Sequence, residues 1–303
     1  MLDRQDWLQE EILRLKREKD VLILAHNYQI PEVQDIADFV GDSLELSLQA
    51  ANTQRTRIVF CGVYFMAETA RILSRKPVLM PVESAGCPLA NMATAEALRQ
   101  WRVEHPQAAV VAYINSSAAV KALSDIVCTS ANALKIVQTV PQNEVIFLPD
   151  QGLGSWIAEQ TDKQLRLWPG FCPTHYHLVP NDLARARQLH PSAKVLVHPE
   201  CRHEVRALAD AVLGTGGMLR LVHTDPAAAF IVGTEEGLLH RLRKENPGKE
   251  FFLASPLLLC PNMKKTDLAS LHRCLAENCT QIEVPSEVEE GARRALERML
   301  SIS

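Results

Sequence analysis

Residues 21–43, 109–130 and 193–215 read VLILAHNYQIPEVQDIADFVGDS, AVVAYINSSAAVKALSDIVCTS and AKVLVHPECRHEVRALADAVLGT. Each stretch begins with an apolar run of strand length, passes through a polar exit into a helical pattern, and ends on an Asp, a short apolar run and a hydroxyl residue. Self-similarity at a regular period is the signature of a repeated structural unit. The sequence therefore predicts three copies of one unit, where the length of 303 residues alone predicts about two domains.

Four further positions recur when the three stretches are aligned on their Asp. Two polar residues leave the first strand, a hydroxyl residue leaves the second strand, and a Cys followed by Pro leaves the last strand. In unit order these are His26, Tyr113 and His198; Tyr28, Asn115 and Glu200; Ser43, Ser130 and Thr215; and Cys87, Cys172 and Cys260. With 8 Cys and 17 Pro in the chain, chance predicts fewer than one Cys–Pro pair. Three pairs at one position of the repeat indicate a shared role.

Continuous apolar strands that alternate with helices are typical of parallel sheets covered on both faces. We therefore predict an α/β fold of three similar small three-layer αβα domains with short four-stranded parallel sheets. We expect them to be arranged about a pseudo-threefold axis with a central active-site cavity, because ligands bind at the carboxyl ends of such strands. The predicted boundaries are 1–105 with an N-terminal helix, 106–190, 191–276, and 277–303. The last segment is expected to form a strand at 280–284, which restarts the pattern, and a helix that packs back on the first repeat.

Composition excludes several classes of protein. The net charge is −4 with mixed signs and no basic patch, which argues against nucleic-acid and membrane-surface binding. The charged, amphipathic start lacks the apolar segment of a signal peptide, and no run reaches the length of a membrane span. We therefore expect a cytoplasmic protein. In a reducing compartment its 8 Cys are thiols, metal ligands or nucleophiles rather than disulfides.

Three thiolates brought to one place form a soft donor set, which favours an iron–sulfur cluster, zinc or Cu(I). A [4Fe–4S] cluster normally takes four Cys, so three would leave one iron open as a Lewis acid for dehydration or condensation. Two alternatives stay open on these residues: a zinc-dependent lyase or aldolase that uses the same Cys with a His, and a non-catalytic iron–sulfur sensor. The remaining thiols have no matching positions and are expected to be core or surface residues; they are Cys61, Cys128, Cys201, Cys274 and Cys279.

The polar side chains at the strand exits are candidates for acid–base work and carboxylate recognition. Ser43, Ser130 and Thr215 each precede a helix-like run, where a hydroxyl caps the helix and free N–H groups bind anions. In GFCPTHYHL (170–178), His175 is expected to contact substrate beside Cys172, and His177 to take no part. The glycine-rich GTGGM (214–218) matches no nucleotide-binding motif.

Six motifs together resemble the quinolinate synthase family: LAHNYQ (24–29), GDS (41–43), AYINS (112–116), GFCPTH (170–175), HPEC (198–201) and CPNMK (260–264). The resemblance implies condensation of iminoaspartate with dihydroxyacetone phosphate to quinolinate in NAD biosynthesis, with release of phosphate and water. It also implies a functional link to an L-aspartate oxidase that supplies iminoaspartate.

The same resemblance implies roles for individual residues. It places a [4Fe–4S] cluster with one open iron on Cys87, Cys172 and Cys260, and catalytic roles on His26, Tyr28 and Glu200. The implied substrate-binding residues are His26, Ser43, Tyr113, Asn115, Ser130, His175, His198, Glu200 and Thr215. Two departures stand out: Gly214 occupies a place where family members often carry Ser, and Asn262, Met263 and Lys264 occupy places where some carry extra Cys. We therefore expect the substrate to receive one hydroxyl contact fewer than in those family members, and we expect no redox-regulatory thiol switch at residues 262–264.

Overall fold

The computed structural model describes residues 4–278 and 280–302. Within them, twelve strands form three four-stranded sheets in which all neighbouring strands are parallel. The strands are β1 Val21–His26, β2 Phe39–Gly41, β3 Arg57–Cys61 and β4 Val78–Leu79; β5 Ala109–Tyr113, β6 Ile126–Cys128, β7 Glu144–Leu148 and β8 Gln164–Leu167; and β9 Lys194–Val197, β10 Ala211–Val212, β11 Ala229–Gly233 and β12 Glu250–Leu253. The three sheets share one order, β2-β1-β3-β4, β6-β5-β7-β8 and β10-β9-β11-β12. The predicted α/β class and the threefold repetition of a small parallel sheet are confirmed, while the pseudo-threefold axis stays a prediction.

Sixteen helices connect and cover the strands in the described residues. They are α1 Arg4–Glu18, α2 Pro31–Ile36, α3 Ser43–Asn52, α4 Tyr64–Ser74, α5 Pro88–Asn91, α6 Ala95–Glu104, α7 Ala118–Ala122, α8 Ala133–Thr139, α9 Gln151–Ala158, α10 Pro173–Tyr176, α11 Pro180–Leu189, α12 His203–Arg206, α13 Thr215–Thr224, α14 Leu238–Glu245, α15 Leu268–Glu277 and α16 Ser286–Ile302. None of the helices in these ranges combines the length and the apolar content that a bilayer crossing requires.

The Asp on which the repeat was aligned has the same structural role in each unit. Its backbone N–H donates to a carbonyl of the first strand at 2.9 Å, and its carboxylate accepts the N–H of that same residue at 2.7–2.8 Å. The pairs are Asp38 with Ile23, Asp125 with Val110, and Asp210 with Val195. The recurring Asp therefore fixes the return of the chain beside its first strand, so that the second strand pairs in register.

A second repeated position links each unit to another. Gln34, Lys121 and Arg206 occupy one position of the repeat, shortly before the three Asp, and all are buried. Each donates to a backbone carbonyl in the exit loop of its own first strand; these acceptors are Gln29, Ser116 and Cys201.

The same three side chains also reach into a neighbouring unit. Gln34 donates to the carbonyl of Gly237 at 2.9 Å, and Arg206 donates to the carbonyl of Gly152 at 3.0 Å. The Lys121 ammonium lies 5.3 Å from the centre of the Phe65 ring. Because the first unit contacts the third, the second contacts the first and the third contacts the second, every unit is bound to both others.

The C-terminal segment departs from expectation. The predicted strand at 280–284 is wrong: Gln281 forms a single antiparallel bridge with Leu79 at the edge of the first sheet. Only Ile282 of this segment is fully buried, and the antiparallel direction excludes a restart of the repeat. Helix α16 packs on α4 of the first unit and also on α7, α8 and β6 of the second. The domain boundaries themselves stay a prediction.

Candidate active site

One cavity of about 160 Å³ is lined by residues from all three units. It contains every residue that the sequence singled out for chemistry. These are His26, Tyr28, Ser43, Cys87, Tyr113, Asn115, Ser130, Cys172, His175, His198, Glu200, Thr215 and Cys260. Because most of them follow the carboxyl ends of strands in three different sheets, the repeat brings them together and no single stretch of sequence does.

The three register cysteines each lie beyond the fourth strand of their unit. Cys87 and Cys172 immediately precede α5 and α10, each of which begins with Pro. Burial raises the pKa of all three thiols, that of Cys87 to about 12. These groups would therefore be protonated at neutral pH unless a cation replaced the protons, as happens when thiols bind a metal.

Two neutral imidazoles lie at equivalent places in the first and third units. The Nδ1 atom of His26 accepts the backbone N–H of Tyr28 at 3.2 Å, and Nδ1 of His198 accepts that of Glu200 at 3.3 Å. Since Nδ1 is an acceptor in both rings, the proton lies on Nε2. Burial lowers the pKa of both His26 and His198 to about 3, so both are neutral Nε2–H donors near pH 7.

A continuous hydrogen-bonded chain joins the first unit to the other two. The Tyr28 hydroxyl lies 2.6 Å from Oγ1 of Thr234, which lies 2.9 Å from Nε2 of His175. On the other side of the ring, Nδ1 of His175 lies 2.6 Å from Oε2 of Glu200 and 3.3 Å from the Cys172 sulfur. Both nitrogens of His175 are thus engaged by protein atoms, which places this ring inside a relay between a phenol and a carboxylate.

The two ends of this hydrogen-bonded chain differ in charge, with Glu200 at one end and Tyr28 at the other. Burial alone would raise the pKa of Glu200, but the His175 and His198 imidazoles outweigh it and lower the value to about 2. Burial, reinforced by the Glu200 charge, raises the pKa of Tyr28 well above its ordinary value. Tyr28 is therefore a protonated donor, and Glu200 is a carboxylate.

One oxygen of Glu200 is left for a ligand. Among residues 4–278 and 280–302, Oε1 of Glu200 is a buried atom without a hydrogen-bond partner of normal geometry, and the residue is only 4% exposed. The Tyr113 hydroxyl interacts with the same carboxylate and helps to lower its pKa. A buried carboxylate oxygen in this state costs free energy unless a donor reaches it. This oxygen is therefore available to accept a hydrogen bond from a molecule that enters the cavity.

The prediction that Ser43, Ser130 and Thr215 cap the helices that follow them is wrong, because the N-caps of α3, α8 and α13 are Asp42, Asn132 and Gly214. The N-terminal N–H groups of Leu44 and Glu45 in α3 are already taken by the Asp42 carboxylate, at 2.9 Å each. Helix α13 begins at Thr215 without a side-chain cap, because its N-cap is Gly214. Of these two, α13 is the one with an uncapped first turn, and an oxygen of the Asp42 carboxylate lies close to that turn at Gly216.

The departure at Gly214 has a steric basis. A Cβ atom at this position would lie 2.7 Å from Oγ of Ser130. Such a contact is too short for any side chain, so a Ser here would displace the Ser130 hydroxyl. Gly214 therefore leaves room for the Ser130 hydroxyl, while the hydroxyl that a Ser at residue 214 would supply is absent.

Several residues near the cavity escaped the sequence analysis. Asp42 and Glu235 line it, and Thr234 completes the relay. Asp150 and Glu235 follow the Asp of their repeats, Asp125 and Asp210, at the same spacing, so a longer alignment would have revealed them as a pair. Thr234 has no such counterpart and is visible only through its contacts.

The stretch 170–178 supplies two of the three residues of a possible metal-ligand set. Ligand atoms of Cys172, His175 and Glu200 lie within 4.8 Å of one another, whereas His177 is exposed. The unmatched thiols Cys61, Cys128, Cys201 and Cys274 are buried, and Cys279 lies outside the described residues.

The chain matches known proteins along nearly its whole length. Residues 10–301 match the family model for quinolinate synthetase A protein. The chain belongs to this family. It is 54% identical to a quinolinate synthase from Methanoregula boonei over 99% of this chain and 100% of the relative. It is 51% identical to one from Geotalea uraniireducens over 98% of each chain, and 52% identical to one from Caldicellulosiruptor bescii over 97% of this chain and 98% of the relative.

Proposed function

We propose that this protein condenses iminoaspartate with dihydroxyacetone phosphate to quinolinate, with release of phosphate and water. Membership of the family supports quinolinate synthase activity within NAD biosynthesis. The observation that carries the finer proposal is the cavity in which three Cys, two neutral His, two Tyr and Glu200 meet from three units. We further propose that an L-aspartate oxidase supplies the imine.

The donor set fits a [4Fe–4S] cluster held by Cys87, Cys172 and Cys260. These thiols come from three separate loops around one cavity, and Cys thiolates are the usual ligands of iron–sulfur clusters. When bound, the cluster would supply one open iron as a Lewis acid for dehydration.

The neutral histidines are suited to bind substrate. The Nε2–H groups of His26 and His198 can donate to carboxylate oxygens of iminoaspartate without needing a proton from solvent. The Ser130 hydroxyl and the uncapped first turn of α13 at Thr215 supply further donors for a carboxylate or the phosphate. These groups hold the two substrates together, which lowers the entropic cost of carbon–carbon bonding.

Proton transfer is assigned to the relay. Tyr28, as a neutral phenol, donates a proton to a leaving hydroxyl and recovers it through the Thr234 hydroxyl from His175. For this step His175 carries a proton on each ring nitrogen, and the Glu200 carboxylate 2.6 Å from Nδ1 stabilises that positive charge. The ring is neutral after the transfer, and solvent returns its proton once product has left the cavity. Since both nitrogens of His175 have protein partners, we propose that it acts through Thr234 rather than by touching substrate.

A zinc-dependent lyase is the second candidate, because Cys172, His175 and Glu200 resemble the mixed donor set of a catalytic zinc site. The two are separated by anaerobic purification followed by iron, sulfide and zinc analysis, and by an assay for quinolinate from supplied iminoaspartate and dihydroxyacetone phosphate. We expect iron, sulfide and quinolinate. One zinc per chain without sulfide would reject the cluster, and iron with sulfide but without quinolinate would instead indicate a sensor.

A further inference from the structure

Two buried carboxylates lie beside the cavity without a part in the relay. Asp150 and Glu235 are both 0% exposed. Each lies just beyond the third strand of its unit, after β7 and β11, and the two follow Asp125 and Asp210 at the same spacing. A repeated acid at a fully buried position is costly unless it has a specific partner.

The partner is the backbone of a cluster cysteine in both units. Oδ2 of Asp150 accepts the N–H of Cys172 at 3.1 Å, and Oε1 of Glu235 accepts the N–H of Cys260 at 3.0 Å. The loops that carry these two Cys are therefore tied to the exits of the neighbouring third strands.

The second oxygen of each carboxylate anchors the acid itself. Oδ1 of Asp150 accepts the N–H of Leu153 at 2.6 Å, and Oε2 of Glu235 accepts that of Gly237 at 2.7 Å. The ammonium of Lys264 lies 2.9 Å from Glu235 and also donates to the Tyr28 carbonyl at 2.9 Å. Each acid is thus fixed at both oxygens, and its orientation is determined before any metal binds.

The first unit has no acidic residue at the position of Asp150 and Glu235. Val63 occupies the corresponding place, at the same spacing after Asp38, and has no carboxylate to offer the Cys87 loop. The three thiols are therefore held in two different ways.

We infer that Asp150 and Glu235 are positioning residues that hold Cys172 and Cys260 in place for the cluster, while Cys87 is positioned without such a support. This inference rests on the proposed function for its consequence, cluster retention. The positioning itself is a property of the cluster-free chain, because the carboxylates contact backbone N–H groups and not sulfur. Partners of this kind, one step removed from the metal, typically change metal affinity by about 10–100-fold.

The test uses Asp150→Asn and Glu235→Gln, which keep the volume but replace one accepting oxygen by an amide. Asp42→Asn is the matched control: it alters another buried carboxylate of the same cavity that contacts no Cys N–H, and Asn also caps helices well. With the reconstituted holoproteins under anaerobic conditions, we expect both variants to release iron to a ferrous chelator about 10–100-fold faster than wild type. The control should release iron at the wild-type rate.

A second arm needs no cluster and separates this inference from the proposed function. In cluster-free protein, hydrogen–deuterium exchange of backbone N–H groups is followed by mass spectrometry on the peptides that carry each Cys. Asp150→Asn should accelerate exchange at Cys172 alone, and Glu235→Gln that at Cys260 alone, with Cys87 unchanged in both. Wild-type rates, or equal acceleration at all three Cys, would overturn the inference. The two variants test separate units, so either one decides if the other fails to fold.

Discussion

At the scale of single residues, Thr234 carries the relay. Its hydroxyl is the only group between the Tyr28 phenol and the His175 ring in the hydrogen-bonded chain of the described residues. The side chain is 0% exposed, so water has no ready access to replace it. A proton that leaves Tyr28 must therefore be returned through this hydroxyl.

We predict that Thr234→Val, which removes the hydroxyl at nearly constant volume, lowers kcat by about 10²–10⁴-fold, the usual share of a proton-transfer group. Thr234→Ser restores the hydroxyl and should recover most of the activity. The rate of quinolinate formation at saturating substrate concentrations measures kcat for both variants, and cluster absorbance checks that the metal centre is unchanged. Full activity in the Val variant would remove the relay from the mechanism.

The neutral histidines predict a dependence of stability on pH. Burial holds the folded-state pKa of His26 and His198 at about 3, below the unfolded value of about 6.5. The unfolded chain therefore binds more protons as the pH falls below 6.5, and the free energy of unfolding falls with it. The lowered folded-state pKa of Glu200 adds to the free energy of unfolding at pH values above the ordinary pKa of Glu. This contribution is lost only below about pH 4.5, so it does not change the slope between pH 6.5 and 5.

We predict that His198→Gln makes the loss of stability between pH 6.5 and 5 smaller by up to about 1.4 kcal/mol per pH unit. Urea unfolding at several pH values measures the slope. His223→Gln, an exposed position at the end of α13, is the control and should leave the slope unchanged. An identical slope in wild type and His198→Gln would show that His198 is not buried as a neutral ring.

At the scale of elements, two glycines bring neighbouring units into backbone contact at the site. A Cβ atom on Gly152 would lie 2.6 Å from the carbonyl oxygen of Glu200, and one on Gly237 would lie 2.7–2.8 Å from the backbone of Tyr28. Both glycines sit at one position of the repeat, each following the Asp of its own unit at the same spacing. Their missing side chains allow the start of a helix in one unit to lie against the strand exit of another unit, at Glu200 or Tyr28.

We predict that Gly237→Ala destabilises the protein by about 1–3 kcal/mol, the usual effect of overpacking, and lowers kcat because Tyr28 must shift. Gly248→Ala is the control, since nothing lies within 4 Å of a Cβ there. Chemical unfolding and quinolinate assays measure the two effects. Equal behaviour of the two alanine variants would contradict the close approach.

The elements also show what the sequence could predict. The apolar runs RIVFC (57–61), EVIFL (144–148) and AFIVG (229–233) coincide with β3, β7 and β11, because central parallel strands are buried on both faces. No apolar run marks β8, an edge strand of alternating exposure that reads QLRL. The segment 280–284 looks like a strand in isolation, but it finds only the short edge at β4 to pair with.

At the scale of the whole molecule, the repeat made most of the site predictable. Twelve of the thirteen residues were found because each shared position places a side chain at the same strand exit in its own sheet, and the sheets open on one cavity. His175 was found separately, beside Cys172. The relay was not predictable, because Thr234 has no counterpart in the other units and meets Tyr28 only through the packing of the third unit on the first. Contacts between units carry no signal in a single sequence.

Because each of the three thiols comes from a different unit, we predict that every one of them is needed to hold the cluster. Cys87→Ser, Cys172→Ser and Cys260→Ser should each abolish cluster retention, because a trigonal set fails when any one ligand is removed. Cys61→Ala and Cys128→Ala, in the cores of the first and second units, should retain it. Iron and sulfide content measures the outcome, and similar losses across all five variants would contradict a set of three ligands.

The most direct test of the account is the composition and activity of the protein purified without oxygen. We predict about four iron and four sulfide per chain, the broad visible absorption of a [4Fe–4S] cluster, and quinolinate formed from supplied iminoaspartate and dihydroxyacetone phosphate. A colourless protein that contains one zinc per chain and forms no quinolinate would contradict it.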